Sequence, residues 1–232
     1  MQLIREAILD AVRLIFSFDA QVVDAATRSL FVSGLAVLFA TVLGVPLGTA
    51  LARVSFFGRQ IVVALLRASM ALPTVFLGMI CYAFFSRQGP LGPLEILYTP
   101  WAIIAGEFLL ALPLVASLSH GAIASLDRRV AETAKTLGAN KWKRCLTYVS
   151  EARVGILLAV LTAFSRCLTE LGIAMLVGGN LKEQTRTLAT ATALETSQGE
   201  FSRAMAMGLI LLLLAVAVTF VIMLLGREEQ AS

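Results

Sequence analysis

Long apolar runs dominate the chain, separated by short polar breaks. Ser29 to Leu51 and Ala204 to Gly226 carry no charge. Ala68 to Ser86 is a third such run, bounded by Arg67 and Arg87, and the apolar "IVVALL" before it allows a backward extension. Each is close to the roughly 20 residues that an α-helix needs to cross hydrocarbon. Two further runs contain charge: Leu97 to His120 holds Glu107, and Val154 to Gly179 holds Arg166 and Glu170. Barrel strands would alternate in short segments, so the pattern predicts an all-α membrane protein with about five transmembrane helices. Pro46, Pro73 and Pro113 fall inside these runs and predict kinks or hinges, because neighbouring groups can satisfy the carbonyls a proline frees.

Residues 1–27 read differently. Ile4, Ile8, Val12 and Ile15 recur at helical spacing among Arg5, Glu6, Asp10 and Arg13. This suits an amphipathic helix at the membrane interface, or a solvated tail with a helical tendency, better than a signal peptide, which needs a continuous apolar core. Residues 28–228 are then expected to form a single transmembrane domain, with a polar loop over 121–153. Composition agrees: 58% of the 232 residues are hydrophobic and 15% charged, too few to cover a soluble globule. Cys81, Cys145 and Cys167 are far apart and show no disulfide or metal spacing. The net charge of +4 does not imply nucleic acid, because membrane topology already uses basic residues.

Short loops rich in Lys and Arg stay in the cytoplasm. "ARVSFFGRQ" carries Arg53 and Arg59, and the break after the third run carries Arg128, Arg129, Lys135, Lys141, Lys143, Arg144 and Arg153. Both are therefore expected inside. Five spans then put the N-terminus outside, the C-terminal "REEQAS" inside, and the loop from Asn180 to Arg203 outside.

The stretch "DRRVAETAKTLGANKWKRC" holds six of the chain's 19 basic residues. Asp127 can cap a helix beginning at Arg128. Ala131, Thr133 and Ala134 give that helix a small-residue face, and Gly138 is the residue expected just past its end. Trp142, among Lys141, Lys143 and Arg144, is a candidate interfacial anchor.

Within it, "ETAKTLGA" resembles the cytoplasmic EAA motif of ABC importer permeases, in which Glu-Ala-Ala is followed three residues later by Gly. Glu132, Ala134 and Gly138 match, and Thr133 replaces the first Ala with another small residue. The family's later Ile-x-Leu-Pro is missing; Tyr148, Ser150 and Glu151 stand there instead. The likeness extends through "LGVPLGTALAR", "LPTVFLG", "GPLG" and "FSRCLTELGIAMLVGGN". "SEARVGILLAV", "MLVGGN" and "TALETSQGEF" are similar to the molybdate and tungstate permeases, most of all to the tungstate branch.

The resemblance implies an ABC type I importer permease fold and a non-catalytic membrane subunit. Its partners would be two copies of a separate ABC ATPase, a second copy of itself and an extracytoplasmic oxyanion-binding protein, all in or on the lipid bilayer of the cytoplasmic membrane. It implies no cofactor or metal. The coupling stretch would comprise Glu132, Thr133, Ala134, Gly138 and Asn140, with Glu132 meeting polar groups in an ATPase cleft, Ala134 permitting close approach and Gly138 making the turn. The chain has no G-x-x-x-x-G-K-[ST] phosphate loop of its own.

Arg166 and Glu170 are spaced i, i+4 and can pair along one helix face. Charge at that depth is expected to serve either a structural ion pair or a watered anion path, with Glu107 as an alternative partner for Arg166. Gly178, Gly179 and Asn180 are expected to end the fourth span, or to form a gate or a docking turn. Thr185, Arg186 and Thr187 are candidates for contact with a binding protein, and His120 for an interfacial or internally satisfied histidine. A stand-alone secondary anion transporter or channel is the alternative function. An intramembrane enzyme ranks last, since no catalytic set falls on facing spans.

Overall fold

The computed structural model describes residues 5, 6, 8, 9, 12, 13, 17 and 19–228. Of the N-terminal amphipathic positions, Ile4 and Ile15 lie outside these residues, whereas Ile8 and Val12 are helical and exposed. Residues 229–232 also lie outside. Among the described residues from 20 onward, every regular element is a helix: α1 (Ala20–Arg53), α2 (Arg59–Ser69), α3 (Thr74–Phe85), a 3₁₀ turn (Gly92–Leu94), α4 (Pro100–Ala124), α5 (Arg128–Thr136), α6 (Lys141–Glu151), α7 (Arg153–Leu168), α8 (Gly172–Gly178), α9 (Leu188–Ser197) and α10 (Phe201–Glu228). Three of them, α1, α4 and α10, are long and apolar enough to cross a bilayer alone, and two bent pairs bring the total to as many as five. Pro46 and Pro113 are accommodated inside α1 and α4.

The expected second span is not one straight helix. α2 and α3 meet at a 100° bend, and Pro73 sits at the N-cap of α3 rather than within a helix. A proline has no N–H to donate and pushes the preceding residue, Leu72, out of the helical region. The expected fourth span is also interrupted. α7 ends at Leu168 and α8 starts at Gly172, with α6 joined to α7 at a 71° bend. The expected outer loop, 180–203, contains α9, a helix whose Leu188, Ala189, Thr190, Ala191 and Glu195 are buried. Its capping box explains why it forms: the Thr187 side chain accepts from Thr190 N, and the Thr190 side chain accepts from Thr187 N.

The described residues divide into two compact units, and α1, α4 and α7 each contribute to both. In the first, α3 packs on α8 and α9 on α10. Val22, Ala25, Leu188, Ala191, Met207 and Ile210 form one of its apolar cores. Ser29 ties it together, since its Oγ accepts from Leu188 N at 2.9 Å.

In the second unit, α1 crosses α4 closely. A Cβ on Gly48 would stand 2.6 Å from the Ala116 carbonyl oxygen, and one on Gly44 3.1 Å from Val115. Small residues four apart let two apolar helices approach where lipid offers no hydrophobic drive between them. α5 packs on α6 at the end of this unit, and Arg53 closes the arrangement from the end of α1.

Candidate functional site

The second unit carries the polar element. Asp127 caps α5 by accepting from Arg129 N at 2.9 Å. The helix ends in a double backbone closure: Gly138 N donates to Lys135 O and Ala139 N to Ala134 O, both at 3.0 Å. This closure needs a left-handed residue at 138, and Gly138 has φ 72° with open space where a Cβ would stand. Asn140 then caps α6, its Oδ1 accepting from Lys143 N at 2.8 Å. Asn140 is thus placed as the start of the next helix, two residues past the turn.

On α5, Glu132 and Thr133 are exposed. Ala134 is not. It is buried in the chain's own fold, which corrects the expectation that it lies on the presented face; the spacing of two residues turns it about 200° away from Glu132. Trp142 on α6 is exposed and Tyr148 buried. The Arg53 guanidinium lies over the Tyr148 ring, 4.5 Å from its centroid, and Nη2 donates to the Ile123 carbonyl at 2.8 Å. Arg53, Lys135, Lys141 and Arg144 line a cavity of about 630 Å³ with no acid in its wall. Sequence reasoning missed this cavity, although basic residues on both sides of the motif were its signal.

The first unit carries the intramembrane charges. Arg166 Nη1 and Glu170 Oε2 pair at 2.8 Å. The Glu170 carboxylate also accepts from Ile173 N at 3.2 Å, so it satisfies the start of α8 from the break between two helices. The Glu170 side chain is 1% exposed and that of Arg166 41%. Arg166 and Glu170 border a cavity of about 510 Å³ with Thr74 and Thr169. Glu107 is not the partner of Arg166. It is buried near Ser33, and its Oε2 has no hydrogen-bond partner.

The turn after α8 is built from within. Gly178 is buried, with no room for a Cβ beside Ile103, and Gly179 and Asn180 both have positive φ. Thr185 Oγ1 donates to Gly178 O at 2.5 Å and accepts from Leu181 N at 2.9 Å. Thr185 and Thr187 are buried by these roles, which corrects their expected place on a docking surface. Arg186 is half-buried, and its Nε donates to Asn180 Oδ1 at 3.3 Å. His120 is buried near the end of α4, with neither ring nitrogen bonded.

Residues 44–228 match the family described as binding-protein-dependent transport system inner membrane component. A tungstate uptake system permease of Peptoclostridium acidaminophilum is 35% identical over 201 residues, covering 87% of this chain and 88% of that protein. Another, from Campylobacter jejuni, is 35% identical, covering 83% of this chain and 80% of its own length. A molybdenum transport system permease of Escherichia coli is 29% identical over 76% of this chain and 82% of its own. The fold matches the crystal structure of a bacterial ABC transporter involved in alginate import, with TM-score 0.76 and 18% identity over 94% of this chain and 83% of that one. This chain belongs to the family of inner membrane components of binding-protein-dependent transport systems.

Proposed function

We propose that this protein is the transmembrane permease of an ATP-driven importer that moves an oxyanion, tungstate first and molybdate next, into the cytoplasm. Two copies of it would work with two copies of a separate ATPase and with an extracytoplasmic binding protein. The observation that carries the coupling role is the exposed Glu132–Thr133 edge of α5, a short helix capped at both ends and closed by Gly138. Support for the oxyanion comes from relatives named for tungstate uptake that align with most of the chain.

On this reading, closure of the ATPases on ATP draws the two α5 helices together and tilts the spans toward an outward-open state. Hydrolysis reverses the movement. The start of α1 lies outside and its Arg53 end inside, in keeping with the basic loops. Arg166, with Thr74 and Thr169 beside it, offers positive potential and hydroxyl groups to a passing dianion. Glu170 holds the guanidinium in place. The Asn180–Arg186 edge is assigned to the binding protein.

The test is tungstate uptake by proteoliposomes holding permease, ATPase and loaded binding protein. Uptake should require all three and ATP. Uptake by the permease alone would overturn this function in favour of a stand-alone anion carrier.

A further inference from the structure

The cavity at the end of α1 joins an exposed helix face to a cluster of cations. On α1, residues 42, 43, 46, 47 and 50 are exposed, while 44, 45, 48 and 49 are buried. The exposed set is one helix face at i, i+3, i+4 spacing. Val42, Leu43 and Leu47 make it apolar. The stripe runs down to Pro46 and Ala50, which line the cavity, and the wall then turns cationic at Arg53, Lys135, Lys141 and Arg144. From Pro46 to Arg53 the helix rises about 10 Å. An apolar track thus leads directly into a pocket of positive charge.

Arg53 is held by the Ile123 carbonyl and the Tyr148 ring, and Lys135, Lys141 and Arg144 complete a cationic wall. None of the four takes part in an ion pair among the described residues. Arg53 Nε is buried without a hydrogen-bond partner, and buried donors are ordinarily satisfied. No carboxylate lines the pocket to balance these cations.

We propose that this groove binds an anionic phospholipid of the cytoplasmic leaflet, its phosphate among Arg53, Lys135, Lys141 and Arg144 and an acyl chain along the exposed face of α1. Basic pockets at the cytoplasmic ends of transmembrane helices suit such headgroups. The charge complementarity is one-sided, with no acid in the lining to repel a phosphate. The apolar continuation favours a lipid over a free oxyanion, which has no use for Pro46 and Ala50. The bound lipid would brace the seam between α1, α6 and α5, and α5 carries Glu132. This proposal does not depend on which anion is transported.

The test uses the complete transporter, permease with ATPase, in detergent after delipidation. Retained lipid is measured by native mass spectrometry, and thermal unfolding by intrinsic fluorescence, with phosphatidylglycerol or phosphatidylcholine added. Phosphatidylglycerol should be retained roughly tenfold more than phosphatidylcholine and should raise the unfolding temperature. Lys141→Gln with Arg144→Gln should remove most of that preference. Ala50→Trp, which obstructs the apolar track and alters no charge, should reduce retention of both lipids. Protection by inorganic phosphate or tungstate equal to that by phosphatidylglycerol would overturn the lipid assignment in favour of a free oxyanion. An unchanged preference in the Lys141/Arg144 variant would overturn the groove. If bound ATPase abolished the preference that free permease shows, the cations would belong to the ATPase contact instead.

Discussion

The Arg53 guanidinium carbon stands 4.5 Å from the centroid of the Tyr148 ring, joining the end of α1 to the buried face of α6. A cation over an aromatic face contributes about 0.5 to 2 kcal/mol, more as the pair is desolvated. Tyr148→Leu is therefore expected to cost about 1 to 2 kcal/mol and to lower the unfolding temperature of the purified permease by a few degrees. Tyr148→Phe keeps the ring and should unfold within a degree or so of wild type. Equal losses in both variants would mean that the phenol rather than the ring holds Arg53.

Gly138 is needed for its backbone conformation, since a Cβ there meets nothing. A residue with a branched side chain at φ 72° costs about 1 to 2 kcal/mol. Gly138→Leu should fray the end of α5 and uncouple ATP hydrolysis from uptake while membrane insertion, measured by fractionation, stays normal. Gly138→Asn should restore most of the coupling, because Asn tolerates the left-handed region.

Arg166 and Glu170 are unequal partners. Removing Arg166 leaves the Glu170 carboxylate buried without its cation, a loss of about 3 kcal/mol that partial exposure of Arg166 keeps at the low end. Arg166→Gln should therefore be less stable than Arg166→Gln with Glu170→Gln, as read by thermal unfolding. If the double variant is stable and transports at the wild-type rate, the pathway role of Arg166 fails and only a structural pair remains.

The α1–α4 crossing gives a contrast within one helix. Gly48→Leu drives a side chain into the Ala116 carbonyl and should destabilise by about 1 to 3 kcal/mol. Gly34→Ala has open space around the new Cβ and should stabilise α1 slightly, by up to about 1 kcal/mol. Detergent melting curves of the two variants should shift in opposite directions.

The long helices were legible because apolar runs of this length have few other structures open to them in a bilayer. α1 and α10 each cover their apolar run, α4 covers its own from Pro100 onward, and α5 with its Asp127 cap and Gly138 turn follows from local chemistry. The breaks were harder to see. Hydropathy does not register the 100° bend before Pro73, nor the gap at Glu170, where a side-chain carboxylate does the work of a backbone carbonyl near the start of α8. α9 was hidden because small and hydroxyl residues such as those in "TLATATAL" read as a loop until Thr187 and Thr190 cap each other. The orientation of Ala134 and the cavity beside Arg53 depend on contacts among α1, α5 and α6, over sequence distances that no local pattern spans.

The central claim is that the exposed Glu132 edge of α5 transmits ATP hydrolysis to an oxyanion permease. Its most direct test is the ATPase rate of the reconstituted complex, wild type and Glu132→Arg, with binding protein that is empty or loaded with tungstate, molybdate or sulfate. Tungstate-loaded binding protein is expected to stimulate hydrolysis by the wild-type complex, with molybdate next, and Glu132→Arg is expected to abolish the stimulation. Equal stimulation in the Glu132→Arg complex, or none by any loaded form in the wild type, would contradict it.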